Sequence, residues 1–88
     1  MNNESHCPRS GSEELEIVKR LLRESSGARD FLRRATAAGF TLDGENHNGV
    51  SMSGQNSGFI FDVRASTGPD TIHGLCFKES GKSAIHLV

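Results

Sequence analysis

The sequence contains no Trp and no Tyr, so five Phe residues supply all of its aromatic side chains. Interface hot spots and base-stacking platforms favour large aromatic side chains, and the absence of Trp and Tyr argues against recognition of that kind. Each Phe lies in an apolar pattern typical of a buried segment: Phe31, Phe40, Phe59, Phe61 and Phe77. We therefore assign the aromatic residues to the hydrophobic core.

The sequence also lacks any apolar run close to about 18 residues, the length that suggests a membrane-spanning helix. No apolar segment follows a charged start, so no signal peptide is expected. The two cysteines, Cys7 and Cys76, are too few for a disulfide-stapled scaffold. We expect two free thiols in a reducing cytoplasm, with a single bridge between them as the alternative. These absences predict a cytoplasmic protein that does not engage a membrane.

Charge of one sign is not in excess, because 10 Lys and Arg face 11 Asp and Glu for a formal net charge of −1. This balance excludes a polycation of the histone type and an acidic tail protein. The 88 residues are enough for one domain and too few for two separate cores. Residues 1–11 contain no branched apolar side chain, so we expect a flexible leader followed by a single domain over residues 12–88.

Two helices are predicted in the first forty residues. Apolar side chains recur at helical spacing over residues 12–25, with acidic side chains in the first turn and basic ones later. Ser10 together with Glu13, or Ser12 alone, would cap the N-terminus of this helix. A narrower apolar face predicts a second helix over residues 28–38, and Gly39 can adopt the left-handed conformation that ends it.

After Gly39 the periodicity changes from helical spacing to alternation. Glycines recur at intervals of 4–10 residues, and apolar side chains alternate with polar ones between them, as in Phe40 and Leu42. This pattern is typical of antiparallel strands with one solvent-exposed face. The sequence therefore predicts an α+β fold, with two N-terminal helices packed on one face of an antiparallel meander of about five short strands, in the order ααβββββ.

No motif in the sequence identifies a reaction, a cofactor or a metal. His73 and Cys76 have a ligand-like spacing, but a strand would turn them to opposite faces, so we expect a surface histidine and a buried, unreactive thiol. The acidic segment 43–49 lacks the Gly and Glu positions of a calcium-binding loop. Phosphate-binding glycine motifs, zinc-protease motifs and nucleophile elbows are absent as well. We expect no cofactor and no metal, and this pattern favours a protein that is not an enzyme.

Charge is distributed unevenly along the chain, with a local charge of +3 over residues 15–34 and −2 over residues 41–88. Six basic residues of the helices could grip the phosphates of a nucleic acid: Lys19, Arg20, Arg23, Arg29, Arg33 and Arg34. The alternative is an ordinary solvated helix face with ion pairs at i, i+4 spacing, such as Glu16 with Arg20.

The segment 31–42 reads Phe-Leu-Arg-Arg-Ala-Thr-Ala-Ala-Gly-Phe-Thr-Leu and is followed by Gly44 and His47. It resembles HicA-type toxins, small RNases with a double-stranded-RNA-binding-like fold in which a helix ending in Ala-Gly-Phe precedes a hairpin with a catalytic Gly-Ser-His. The resemblance implies RNase activity with His47 as the catalytic base. This chain departs from the family in that Asn46 precedes the histidine and strand-like sequence replaces the closing helix.

The last predicted strand is nearly apolar. An uncovered edge strand is a template for pairing with another chain. The residues that would form this edge are Ala84, Ile85, His86, Leu87 and Val88. The pattern favours a small non-enzymatic binding protein, such as a regulator, an inhibitor or an accessory subunit, which docks on another protein or associates with itself. Nucleic-acid binding by the basic helices and RNase activity at His47 are the alternatives.

Overall fold

A computed structural model of the chain describes residues 10–63 and 70–88. Two helices are followed by five strands: α1 Gly11–Glu24, α2 Ala28–Ala37, β1 Thr41–Glu45, β2 Gly49–Ser53, β3 Ser57–Val63, β4 Ile72–Glu79 and β5 Ile85–His86. The strands form one sheet in the order β1-β2-β3-β4-β5, and each pairs antiparallel with the next. The predicted α+β layout ααβββββ is confirmed.

The ends of the helices follow local signals in the sequence. Ser10 and Glu13 form a capping box, in which the Glu13 N–H donates to the Ser10 hydroxyl at 3.1 Å and the Ser10 N–H donates to Glu13 Oε1 at 3.0 Å. Gly39 follows α2 with a φ of 105°, the left-handed conformation expected there. Of the predicted leader, residues 1–9 lie outside the described residues, whereas Ser10 caps α1 and Gly11 is its first residue.

The N-terminus of α2 is capped from a distant part of the chain. Its cap position is Gly27, which has no side chain that could accept a hydrogen bond. Asp70 supplies the acceptor instead, because the Arg29 N–H donates to its Oδ2 at 3.0 Å. A Cβ at Gly27 would lie 2.5 Å from the carbonyl oxygen of Asp70, so this close approach requires glycine. The contact ties the helical layer to the start of β4.

The hydrophobic core lies between the two helices and one face of the sheet. Its buried members are Val18, Leu21, Ala28, Phe31, Ala35, Phe40, Val50, Met52, Phe59, Phe61, Leu75 and Phe77. Phe31 of α2 meets Phe59 and Phe61 of β3 edge-to-face, with ring centroids 5.4 and 5.2 Å apart. All five Phe residues are buried, as predicted.

Two side chains are less buried than the sequence predicts. Leu42 lies opposite the buried Met52 and so belongs to the core face, but it is 49% exposed on β1, the edge strand of the sheet. Cys76 is a half-buried free thiol on the face of β4 opposite to Leu75 and Phe77, which occupy the core. Cys7 lies outside the described residues, so the state of that cysteine stays a prediction. In the described ranges, neither helix combines the length and the apolar character needed to cross a membrane.

Candidate functional site

The last five residues form one edge of the sheet, which we call the β5 edge and define as residues 84–88. β5 is the final strand in the sheet order, and Ile85 and His86 pair with Phe77 and Cys76 of β4. The pairing continues past the strand, because the Leu87 N–H donates to the carbonyl of Leu75 at 2.8 Å. The chain therefore follows β4 beyond the two residues of regular strand.

Backbone groups of the β5 edge point away from the sheet at alternate residues. The Leu87 N–H faces β4, and in an antiparallel ladder neighbouring residues direct their N–H and C=O groups to opposite sides. The N–H and C=O groups of His86 are thus directed outward. This geometry can accept a further strand by main-chain hydrogen bonds.

Apolar side chains accompany these outward backbone groups. Ile85 is 44% exposed and Val88 is 52% exposed, while Leu87 is partly buried against the core. Ile85 lies opposite the buried Phe77 and so belongs to the face that carries the core. The core therefore extends to the rim of the sheet and is left partly open there.

The opposite edge of the sheet, formed by β1, has features that protect it from pairing. Its register is broken by the irregularity between Leu42 and Gly44. Asp43 and Glu45 place two carboxylates on this strand, and Asp43 accepts a hydrogen bond from the Ser53 hydroxyl of β2. Charges and bulges are the usual means by which proteins blunt an exposed edge. Of the two edges, β5 is the one suited to strand addition.

The sheet face opposite the helices is uncovered. A row of residues in register crosses it from β2 to β5, namely Ser51, Ile60, Cys76 and His86. Ile60 is 60% exposed and borders a shallow depression of about 610 Å³ that also includes Lys78. No group of three or more His, Cys, Asp or Glu side chains suited to a metal ion occurs in the part of the chain that the structure describes.

Acidic neighbours neutralise three of the six basic residues proposed as phosphate ligands. Lys19 lies 3.7 Å from Glu16, so this carboxylate pairs at i, i+3 rather than with Arg20. Arg33 and Arg34 both contact Asp30, and the Arg34 Nε–Asp30 Oδ2 distance is 2.9 Å. The hydrogen bond from Arg34, followed by that from the Ser26 N–H, holds the pKa of Asp30 below its ordinary value.

The remaining three arginines carry the excess positive charge of the helical layer. Arg20, Arg23 and Arg29 are exposed, and no carboxylate of residues 10–63 or 70–88 lies within ion-pair distance of them. Arg20 and Arg23 lie on α1, and Arg29 is in the first turn of α2. Half of the predicted basic set therefore remains available to an anionic partner.

His47 is exposed in the turn between β1 and β2. The turn is held by Asn46, whose side-chain oxygen accepts from the Asn48 N–H at 2.8 Å and the Gly49 N–H at 3.0 Å. Among the described residues no hydrogen bond or ion pair involves His47. His47 lies at the β1–β2 turn and does not join the β5 edge in one site.

Sequence reasoning missed a buried polar cluster around Glu14 of α1. The Glu14 side chain is completely buried, and its Oε2 accepts from the Gln55 N–H at 2.7 Å while its Oε1 accepts from the Asn56 N–H at 3.1 Å. The Ser57 hydroxyl also donates to Oε1. This carboxylate fixes the β2–β3 turn against α1 and is a structural feature rather than a binding site.

No protein-family model, curated protein or solved structure matches this chain when it is compared with them. The candidate site is therefore judged on geometry alone. The β5 edge combines outward backbone groups with exposed apolar side chains, and the helical layer offers three arginines that have no carboxylate partner among the described residues.

Proposed function

We propose that this chain is a small non-enzymatic binding protein that docks on another macromolecule through the β5 edge. The observation that carries the proposal is the contrast between the two edges of the sheet. β1 bears two carboxylates and a register shift, whereas the β5 edge exposes Ile85 and Val88 beside outward backbone groups. Strand addition at such an edge draws its affinity from main-chain hydrogen bonds and its specificity from the alternate side chains.

The placement of the reactive side chains supports a binding role over a catalytic one. His47 lies at the β1–β2 turn, His73 is exposed on β4, and His86 lies in the β5 edge. A nucleophile needs a base within hydrogen-bond reach, and a base needs a group that orients it. Cys76 and His86 are cross-strand partners, but no hydrogen bond joins their side chains among the described residues.

A pair of substitutions at His86 tests the proposal. His86→Pro removes the outward N–H, and a proline is compatible with an edge strand whose N–H faces solvent. His86→Ala removes the same imidazole and keeps the N–H, so it is the matched control. We expect immobilised wild-type chain and His86→Ala to retain the same protein from a lysate of the cells that express it, and His86→Pro to lose it.

Circular dichroism and urea unfolding of both variants confirm that the fold is intact, because His86 is exposed and contributes little to the core. Equal capture by the proline and alanine variants would show that strand addition is not the mode of binding. Loss of capture in both would assign the interaction to the imidazole and would also contradict the proposal.

Nucleic-acid binding is the second candidate, and the three unpaired arginines favour it. Arg20, Arg23 and Arg29 could each contact a phosphate, and such contacts release counterions, so affinity must fall steeply with salt. Binding to mixed DNA and RNA should then be measurable at low salt and lost in the Arg20→Glu/Arg23→Glu/Arg29→Glu variant. The ion-paired residues Lys19, Arg33 and Arg34 provide the control set. Affinity that does not depend on salt would exclude this candidate.

A further inference from the structure

We infer that the occupant of the β5 edge is a second copy of this chain, paired about a two-fold axis as a weak dimer. The inference rests on the proposed function and names its partner. Its starting point is the geometry of His86, whose backbone N–H and C=O face outward, while the N–H of Leu87 and the carbonyl of Val88 bond to Leu75 of β4.

The register of such a dimer follows from the outward residues. A two-fold axis between two antiparallel copies of a strand places one residue opposite the same residue of the other copy. These two residues can exchange a pair of hydrogen bonds only if their backbone N–H and C=O groups face outward. An axis at His86 gives residues 85–87 of each copy, which follow β4 in register, a partner in the other copy. The His86 N–H of each copy donates to the His86 carbonyl of the other.

This register makes the edge complementary to itself. Ile85 of one copy lies opposite Leu87 of the second copy, and the same contact is repeated across the axis. Both side chains lie on the core face, so the two contacts extend the apolar surface that each copy leaves open at its rim.

Charge distinguishes this edge from the other. A two-fold axis brings each strand against an identical strand, so any net charge on an edge is repelled by its own copy. Residues 84–88 contain no Asp, Glu, Lys or Arg, whereas β1 carries Asp43 and Glu45. The β5 edge is thus electrostatically permissive for a second copy, and the β1 edge is not.

The small area that the β5 edge could bury indicates a weak dimer. A stable, specific interface buries about 1,600 Å² in total, and five residues of edge strand per copy bury well below that. We therefore expect a weak contact that forms at high protein concentration.

A charge exchange at the axis tests the inference. In His86→Glu alone and in His86→Lys alone, two like charges meet across the axis, and we expect self-association to weaken about fivefold or more. In an equimolar mixture of the two variants, opposite charges meet, and association should return to the wild-type level or above. Sedimentation velocity over a concentration series measures all three.

The matched control is the same exchange at His47, which is also an exposed histidine but lies at the other side of the sheet. His47→Glu and His47→Lys should associate as the wild type does, alone and mixed. A mixture of the His86 variants that stays as weak as either alone would overturn the inference.

The two proposals fail separately. If the wild-type chain stays monomeric at every concentration while His86→Pro still loses a captured protein that His86→Ala retains, the second-copy inference is wrong and docking at the β5 edge stands. If proline and alanine behave alike both in capture and in self-association, both proposals are wrong.

Discussion

Removal of the buried Glu14 carboxylate should be among the most destabilising single changes in the fold. Glu14 lies in the first turn of α1, is fully buried, and accepts hydrogen bonds from Gln55, Asn56 and Ser57 of the β2–β3 turn. In Glu14→Ala these part-buried donors lose a charged acceptor whose own side chain is completely buried. Each buried donor without an acceptor costs about 1–3 kcal/mol.

The expected loss for Glu14→Ala is about 3–5 kcal/mol of unfolding free energy. Glu14→Gln should lose about 2–3 kcal/mol of unfolding free energy. Its amide oxygen can still accept hydrogen bonds in place of one carboxylate oxygen, but its NH₂ group faces N–H or O–H donors in place of the other. A small domain has only about 5–15 kcal/mol of stability in total. The midpoint of thermal unfolding of Glu14→Ala should thus fall by about 12–40 °C.

Urea unfolding followed by far-ultraviolet circular dichroism is the suitable assay, because the chain has no Trp or Tyr for fluorescence. Glu16→Ala is the matched control on the same helix. Its carboxylate is 74% exposed and 3.7 Å from Lys19, so we expect a loss of about 0.5 kcal/mol or less. A loss below about 1 kcal/mol for Glu14→Ala would refute the reasoning, because one unsatisfied buried donor alone costs that much.

Three further predictions concern individual contacts within the fold. Asp70→Ala removes the acceptor for the Arg29 N–H at the start of α2, and urea unfolding should show a loss of about 1 kcal/mol of unfolding free energy. An unchanged stability would contradict the capping role of Asp70. Gly54→Ala places a Cβ 2.7 Å from Glu14 Oε2 and 2.8 Å from the Phe40 ring, so it should cost about 1–3 kcal/mol, whereas Gly44→Ala, with nothing within 4 Å, should be close to neutral. The lowered pKa of Asp30 means that its carboxylate stabilises the fold above the unfolded-state pKa and that this contribution disappears as the pH falls through the folded-state pKa. Wild type should therefore be more stable than Asp30→Asn at neutral pH. The difference in unfolding free energy should disappear when the pH falls well below 3.8, the ordinary pKa of an Asp carboxyl, and a difference that does not change with pH would contradict this reasoning.

Much of the fold could be predicted because its signals are local. The capping box needs only Ser10 and Glu13, three residues apart, and Gly39 ends α2 through its own φ angle. Helical and alternating periodicity place the two helices within one residue of their observed ends and identify all five strands. These patterns depend on neighbours in sequence, so the sequence alone contains them.

Contacts between distant segments could not be predicted. Glu14 and Gln55 are 41 residues apart, as are Arg29 and Asp70, and nothing near any of these residues indicates its partner. Glu14 has the same sequence context as a solvated carboxylate that favours the helix dipole, yet it is buried. Leu42 lies on the core face opposite Met52, as its alternation indicates, but the sheet order places β1 at an edge and leaves this side chain 49% exposed.

The sequence indicates which residues form the candidate site but not how they are arranged. The sequence shows an apolar final segment, but the sheet order is needed to place it at an edge, and the hydrogen bond from Leu87 is needed to identify His86 as the outward residue. The basic helices were predicted as one set. The structure divides them, because Asp30 gathers Arg33 and Arg34 while Arg29 remains unpaired among the described residues.

Amide hydrogen exchange at two adjacent residues gives the most direct test of docking through the β5 edge. The Leu87 N–H bonds to Leu75 within the chain, so it should exchange slowly whether or not a partner is bound. The His86 N–H faces outward and should exchange rapidly in the free chain and slowly in the complex. If the His86 N–H exchanges equally fast in the free chain and in a complex that has formed, the β5 edge is not the docking surface.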